Sequence, residues 1–403
     1  MFENVTVAPP DPIFNIFSSY LKDESATKVN VGIGAYRTDE GKPWVLPVVR
    51  KVENMIVNSP DLDHEYLPLD GLKSFTDASA KLILGTNSPV ILEKRYCAVQ
   101  SISGTGAVRL GADFLKRFHD KTVYLPNPTW ANHQSIFEDA GFTEILEYPY
   151  YNPKTKGLDI NNLCDNLKAM KENSIVLFHA CAHNPTGVDP KEEEWTQIAK
   201  IMKEKKLFPF FDCAYQGFAS GSLDKDAWSV RHFVEQGFEL LVAQSYSKNF
   251  GLYSERCGCL TVACQTPAKA EAVRTQLCKI NRTVISTPPA FGARIVSKVL
   301  NDPELYKEWV SSLKEMAGRI KLMRRMLFDE LINLGTPGNW NHIIDQIGMF
   351  TYTGLTKEQC LLIRDKFHVY MTESGRVSMA GLNTKNVKYF ANSIDQVVRM
   401  TLQ

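Results

Sequence analysis

The stretch Ser245-Tyr-Ser-Lys248, with Arg256 shortly after it, follows the apolar run Glu239-Leu-Leu-Val-Ala-Gln244. Runs of this kind read as strands buried on both faces, and α/β proteins keep their chemistry at the ends of such strands. A lysine there is either a solvated loop charge or a working amine. Four other polar residues recur at the same place in successive units: Trp130 after Thr122-Val-Tyr-Leu125, Asn184 after Ser174-Ile-Val-Leu-Phe-His179, and Asp212 with Tyr215 after Leu207-Phe-Pro-Phe-Phe211. Taken singly, Asn184-Pro-Thr-Gly187 is commonly a turn and an Asp after a strand is commonly a helix cap. Their repetition at strand ends argues for one crevice instead.

The chemistry of that crevice follows from the residue types. Ser101-Ile-Ser-Gly-Thr-Gly106, read as a glycine-rich turn entering the amphipathic Ala107 to Phe118, offers backbone N–H groups and a helix dipole to an anion. It is neither a GxGxxG nor a P-loop pattern, so a dinucleotide or nucleoside triphosphate is disfavoured. Ser245 and Arg256 could complete a phosphate site by hydroxyl and guanidinium. Lys248 could form an imine with an aldehyde held by that phosphate. Asp212 could keep a ring nitrogen protonated, Tyr215 could donate to a ring oxygen, and Trp130 could stack on the ring face. Phosphate anchor, imine lysine and pyridinium acid together describe pyridoxal 5'-phosphate.

The elements that must position these groups are short apolar runs alternating with polar loops and amphipathic stretches, which predict βα units and a mainly parallel sheet. Helices are expected over Ala131 to Ala140 and from about Pro190. From Glu304 to Leu331 the apolar residues Trp309, Leu313, Met316, Ile320, Met323, Leu327 and Leu331 recur at steps of three and four, which predicts one long amphipathic helix. Beyond Gly335-Thr-Pro-Gly338, short segments such as Met349-Phe-Thr-Tyr352 and Lys357 to Lys366 suggest a second, smaller domain.

The whole chain agrees with an ordinary globular enzyme. Its 403 residues allow two or three domains, and 44% apolar and 23% charged residues with a net charge of +1 give no electrostatic reason to expect nucleic acid or an anionic membrane as partner. Nine cysteines, without a second cluster to complement Cys257, Cys259 and Cys264, read as buried reduced thiols rather than a metal site. No metal is expected. The start carries neither a basic n-region nor an Arg-rich segment, and Thr401-Leu-Gln403 is not a peroxisomal tail, so a cytoplasmic protein is expected.

Ser103-Gly-Thr105, Trp130, Asn184-Pro-Thr-Gly187, Asp212-Cys-Ala-Tyr215 and Ser245-Tyr-Ser-Lys248 with Arg256, in this order, resemble the aspartate aminotransferase family, of eukaryotic cytosolic type, among the fold-type I pyridoxal phosphate enzymes. The likeness runs nearly end to end and includes Val31-Gly-Ile-Gly-Ala-Tyr-Arg37, His64-Glu-Tyr-Leu-Pro68, Asp345-Gln-Ile-Gly-Met-Phe350 and Gly375-Arg-Val-Ser-Met-Ala-Gly381. It implies a mainly parallel seven-stranded sheet flanked by helices in a large domain (residues 44–315), a smaller α+β domain (11–43 with 316–403), and an N-terminal arm (1–10, with Pro9 and Pro10) lying across a partner subunit.

The resemblance also implies roles. Lys248 would be the imine-forming lysine and the base, Asp212 would hold the pyridine nitrogen, and Tyr215 with Asn184 the phenolic oxygen. Ser103, Gly104, Thr105, Ser245 and Arg256 would cradle the phosphate, with Tyr66 reaching in from the partner of a homodimer. Arg376 would clamp the substrate α-carboxylate with help from Asn184, Trp130 and Gly34. Arg282 of the partner would meet the distal carboxylate of aspartate or glutamate, converting L-aspartate and 2-oxoglutarate to oxaloacetate and L-glutamate by a ping-pong route. From the residues alone, Arg282 and Arg376 read equally as solvated charges, and His133, His179 and His183 read as hydrogen-bonded core or supporting histidines. Thr287 stands where relatives commonly carry asparagine, which opens the alternative of a broader enzyme that also uses aromatic amino acids. A lyase or decarboxylase on the same fold is disfavoured by two carboxylate-binding arginines, and a non-catalytic scaffold by the presence of Lys248.

Overall fold

The computed structural model describes residues 2–8, 12–119 and 122–402; Met1, Pro9 and Pro10 of the expected arm lie outside the described residues. The chain divides into two compact units, Trp44–Gly318 and Met1–Pro43 with Arg319–Gln403.

The larger unit is built on seven strands: β1 Tyr96–Ile102, β2 Thr122–Asn127, β3 Glu144–Pro149, β4 Ile175–His179, β5 Phe208–Cys213, β6 Leu240–Ser245 and β7 Cys257–Ala263. They lie in the order β1-β7-β6-β5-β4-β2-β3. Neighbours from β6 to β3 are parallel, whereas β7 runs antiparallel to both β1 and β6. The sequence explains the burial. Successive side chains of a strand face opposite sides, so Leu177 and Phe210 join one core with Val99, Leu110, Phe137 and Leu277. Phe178 and Phe211, one residue on, join a ring cluster on the other side with Trp195 and Phe233, the centroids 5.2–6.1 Å apart. A strand that must satisfy both faces reads as a continuous apolar run, as these do.

Helix α1 (Ser103–Phe118) follows β1 directly. The sequence suggested a glycine-rich turn before a helix starting at Ala107; instead that stretch forms the end of β1 and the first turn of α1. The helix comes so close to the sheet that a Cβ at Gly111 would lie 2.5 Å from the Phe210 ring, so the position demands glycine. Helix α2 (Pro303–Asn333) has the expected buried stripe from Trp309 to Leu331. Its residues up to Gly318 belong to the larger unit and those from Arg319 to the smaller.

The smaller unit mixes helices with two short ladders. Val29–Asn30 pairs in parallel with Val369–Tyr370, and Phe350–Tyr352 pairs antiparallel with Arg376–Ser378. Buried Arg324 holds the segment before the second ladder through the carbonyls of Ile343 (3.0 Å), Gly348 (2.8 Å) and Phe350 (2.5 Å) and the Thr351 hydroxyl. Burial pushes its guanidinium down to about 9. All nine cysteines are buried free thiols. Among the described residues no helix is long and apolar enough to cross a membrane.

Candidate active site

Strands β1, β2, β4, β5 and β6 point the same way, so their C-terminal ends share one edge of the sheet. The antiparallel β7 presents its beginning at that edge. This is why Arg256, just before β7, meets residues just after β1: the Ser103 N–H donates to the Arg256 carbonyl at 2.9 Å. A pocket at this edge is lined by Ser103, Gly104, Thr105, Trp130, Asn184, Asp212, Tyr215, Ser245, Lys248 and Arg256. All ten were expected at the cofactor from the sequence. Local placement differs for some: Ser103 to Thr105 lie in the first turn of α1, Ser245 is the last residue of β6, and Asp212 also falls inside its strand. It lies within β5, opposite His179, because the ladder continues through the Ala180 N–H to the Asp212 carbonyl at 2.8 Å.

One end of the pocket is made of donors. Past Ser103, whose N–H is taken by Arg256, the first turn of α1, a helix of 16 residues, presents N–H groups that have no carbonyl partner within the helix. A Cβ at Gly104 would come within 2.8 Å of the Ser245 Cβ, so this turn lies directly against the end of β6. The Ser103 hydroxyl is 3.4 Å from that of Ser245 and 3.0 Å from that of Ser247. Ser247 was not among the expected ligands, although its place in Ser-Tyr-Ser-Lys puts it one residue from Lys248; the spacing was visible, the contact with Ser103 was not. With the guanidinium of Arg256, this set suits a phosphate dianion.

The other end holds a carboxylate and an amine. Burial alone would push the Asp212 carboxyl up, but the hydrogen bond from His133, together with the positive charge of Lys248, outweighs it and holds Asp212 below the usual carboxylate range. The orientation of His133 follows from a chain of hydrogen bonds with both ends determined. The Asn184 backbone N–H can only donate, and does so to His179 Nδ1 at 3.3 Å. His179 Nε2–H then donates to Thr129 Oγ1 at 2.9 Å, Thr129 to His133 Nδ1 at 2.8 Å, and His133 Nε2–H to Asp212 Oδ2 at 2.9 Å. An ionised carboxylate can only accept, so both tautomers are assigned. Burial, then the neighbouring His133, lowers His179 to about 3, which keeps it neutral at pH 7. The histidines thus support Asp212, as the sequence reading allowed.

Lys248 is lowered from its usual value by burial first and by Arg256, against the pull of Asp212. Its Nζ is 5.7 Å from the centroid of the Tyr215 ring. A lysine with a depressed pKa has a larger neutral fraction, and a neutral amine is the nucleophilic and basic form. Donors for a phosphate, an amine for an aldehyde and an ionised carboxylate for a ring N–H fit pyridoxal phosphate.

Four expected ligands lie outside this pocket. Tyr66 is 82% exposed on the larger unit and lines a separate groove with Leu62, Thr287 and Phe291. Arg282, near the end of the helix Pro267–Val284, is exposed and donates to the Ser286 hydroxyl. Gly34 and Arg376 belong to the smaller unit. There Arg376 donates to the Gly32 carbonyl at 2.7 Å, and its guanidinium lies 4.3 Å from the centroid of Phe350. A Cβ at Gly34 would meet Phe350 at 2.7 Å, so Gly34 and Arg376 flank the same ring.

Comparison with known proteins agrees with this geometry. Residues 26–394 match the family described as aminotransferase class I and II. The cytoplasmic aspartate aminotransferase of Gallus gallus is 52% identical over 404 residues, covering 99% of this chain and 98% of that protein. Among solved structures, the aspartate aminotransferase from Saccharomyces cerevisiae cytoplasm superposes with a TM-score of 0.96 at 48% identity, over 99% of both chains. The aromatic-amino-acid aminotransferase from Burkholderia pseudomallei, covalently bound to pyridoxal phosphate, gives 0.96 at 40% identity, also over 99% of both. The seven-stranded sheet, the pocket at its edge and these matches lead to one conclusion: the chain belongs to the class I and II aminotransferases.

Proposed function

We propose that this protein is an aspartate aminotransferase, moving the amino group reversibly between L-aspartate and 2-oxoglutarate to give oxaloacetate and L-glutamate. Pyridoxal phosphate is the cofactor. The observation that carries the reading is the pairing, in one pocket, of a half-buried lysine lowered from its usual value with an aspartate held ionised. When bound, the cofactor supplies an aldehyde that captures the amino group and a protonated ring that draws electrons from the substrate Cα.

The residues do the rest. Ser103, Gly104, Thr105, Ser245 and Arg256 bind the phosphate and orient the ring. Asp212, braced by His133, keeps the proton on the ring nitrogen. Tyr215 and the Asn184 side chain donate to the phenolic oxygen, and Trp130 covers one ring face. Lys248, neutral when its turn comes, takes the proton from the substrate Cα and returns it on the other side of the exchange. Arg376, beside Gly34, grips the α-carboxylate with a bidentate fork. Arg282 and Tyr66 act from a second copy of the chain, Arg282 on the distal carboxylate and Tyr66 on the phosphate. Their exposure on the isolated chain supports a homodimer with shared sites. The cytosol is the proposed compartment, supported by the cytoplasmic names of relatives from Gallus gallus and Oryza sativa subsp. japonica.

Aspartate alone, with no oxo acid present, should change the absorption spectrum of the bound cofactor and release one equivalent of oxaloacetate; carbon dioxide release in its place would mark a decarboxylase. A broader enzyme is favoured by one observation, Thr287 in the groove beside Tyr66. Comparing kcat/KM for aspartate, glutamate, tyrosine and phenylalanine separates the two.

A further inference from the structure

Two carboxylates behind the pocket do work that no assigned residue explains. Asp226, 4% exposed, accepts the Gly217 N–H at 2.8 Å and the Ser220 N–H at 3.2 Å to each oxygen. Those donors belong to a tight turn that starts at Tyr215, whose carbonyl accepts from the N–H groups of Phe218 and Ala219 at 3.0 Å. Gly217 has φ +79°, and a Cβ there would meet Leu223 at 2.6 Å, so the turn has one shape. Asp189 does the same for the other loop. It accepts the Ala182 N–H at 2.6 Å and the His183 N–H at 2.9 Å, immediately before Asn184. Ala182 lies in the left-handed region at φ +50°, a conformation that costs energy without glycine and needs holding.

Neither carboxylate lines the pocket, and among the described residues neither pairs with a cation. Asp226 is buried and Asp189 half-buried; withdrawing an unpaired carboxylate from water is expensive, and such departures from stability rules concentrate at functional sites. Burial, and behind it the repulsion of Asp189, push the Asp226 carboxyl up to about 6 against the backbone and side-chain hydrogen bonds of Ser220 and the N–H of Gly217. Burial likewise raises Asp189 against the N–H groups of His183 and Ala182.

We infer that Asp226 and Asp189 are positioning residues: each clamps the loop that carries one of the two donors, Tyr215 and Asn184, to the phenolic oxygen of the cofactor. The inference rests on the reading of Tyr215 and Asn184 given above and deepens it. A donor to that oxygen favours its ionised form, so misplacing the donor raises the pH at which the bound cofactor's absorption band titrates.

The test uses the full-length protein loaded with pyridoxal phosphate and reads the midpoint of that titration for Tyr215→Phe, Asp226→Asn and the double variant. Tyr215→Phe should raise the midpoint by about 0.5–1 pH unit, the worth of one hydrogen bond. Asp226→Asn should raise it by part of that amount, and the double variant should match Tyr215→Phe alone, because the clamp acts only through Tyr215. An Asp226→Asn midpoint equal to wild type, or a shift that adds in full to that of Tyr215→Phe, overturns the positioning role. If Tyr215→Phe itself leaves the midpoint unmoved, the assignment of Tyr215 falls first, and this inference with it. Should Asp226→Asn not fold, Ser220→Ala removes a hydroxyl that bonds to Asp226 and is read by the same three-way comparison.

Discussion

The edge of the sheet and the flank that carries Tyr66 and Arg282 belong to the same unit yet are built on opposite principles. At the edge, key polar groups have partners within the chain: Asp212 has His133, Ser103 has Ser247, and Asn184 has His179 behind its backbone. On the flank, a tyrosine is 82% exposed beside exposed Val57, Leu62 and Phe291, and among the described residues an exposed arginine reaches only the hydroxyl of Ser286, four positions on. A large aromatic left in water forfeits the burial that its size offers, on the order of 2 kcal/mol. The difference teaches that one chain gathers most of the cofactor's contacts at the edge, while the exposed flank is the part that the proposed second copy would use.

The sharpest way to break the comparison is to remove the amine at the edge. Lys248→Ala should lower activity by at least about 10³-fold, the loss expected for a positioned base and nucleophile. Borohydride should then no longer fix the cofactor to the peptide holding residue 248. Labelling at another lysine would move the centre of the site away from β6.

Next comes the flank. Arg282→Ala should cost aspartate and glutamate about 2–5 kcal/mol in kcat/KM, much of it the price of a buried carboxylate left unpaired. Phenylalanine should lose less than about tenfold. Co-refolding Arg282→Ala with Lys248→Ala should restore activity, since one site of the mixed dimer receives both intact residues. Verified mixed dimers without recovery would show that Arg282 acts within its own chain.

A third measurement concerns the frame behind the edge. Asp226 takes its proton near pH 6 in the folded chain and near 3.8 when unfolded. Between those values the folded state holds a proton that the unfolded state has lost. The contribution is therefore fully present below about pH 4 and disappears as pH rises through about 6, a change on the order of 2–3 kcal/mol. The difference in unfolding free energy between wild type and Asp226→Asn should show this slope; a flat difference would mean that Asp226 titrates like an exposed acid. The smallest effect should come from Tyr66→Phe, which keeps the ring and removes one hydroxyl. Cofactor release should quicken by about fivefold, near 1 kcal/mol, with stability of the isolated chain unchanged. No change in release would remove Tyr66 from the phosphate and leave its exposure to be explained by packing alone.

Much of this protein was legible in the sequence because the signals are local. Apolar runs marked β2, β4, β5 and β6 since strands buried on both faces leave no polar alternation, and the stripe from Trp309 to Leu331 marked α2 since its period matches the helix. The residue types at the strand ends sufficed to name an imine lysine, a pyridinium acid and a phosphate cradle. Tertiary structure alone decided which of these groups meet. Reversal of β7, a matter of long-range pairing, brought Arg256 to Ser103. The hydrogen-bond chain from Asn184 through His179, Thr129 and His133 to Asp212 joins three separate loops and strands, and no spacing along the chain encodes it. Asp189 and Asp226 passed unnoticed because a carboxylate bound to backbone N–H groups, half-buried or buried, looks in sequence like any surface acid. Side-chain type is a property of the residue; burial and partners are properties of the fold.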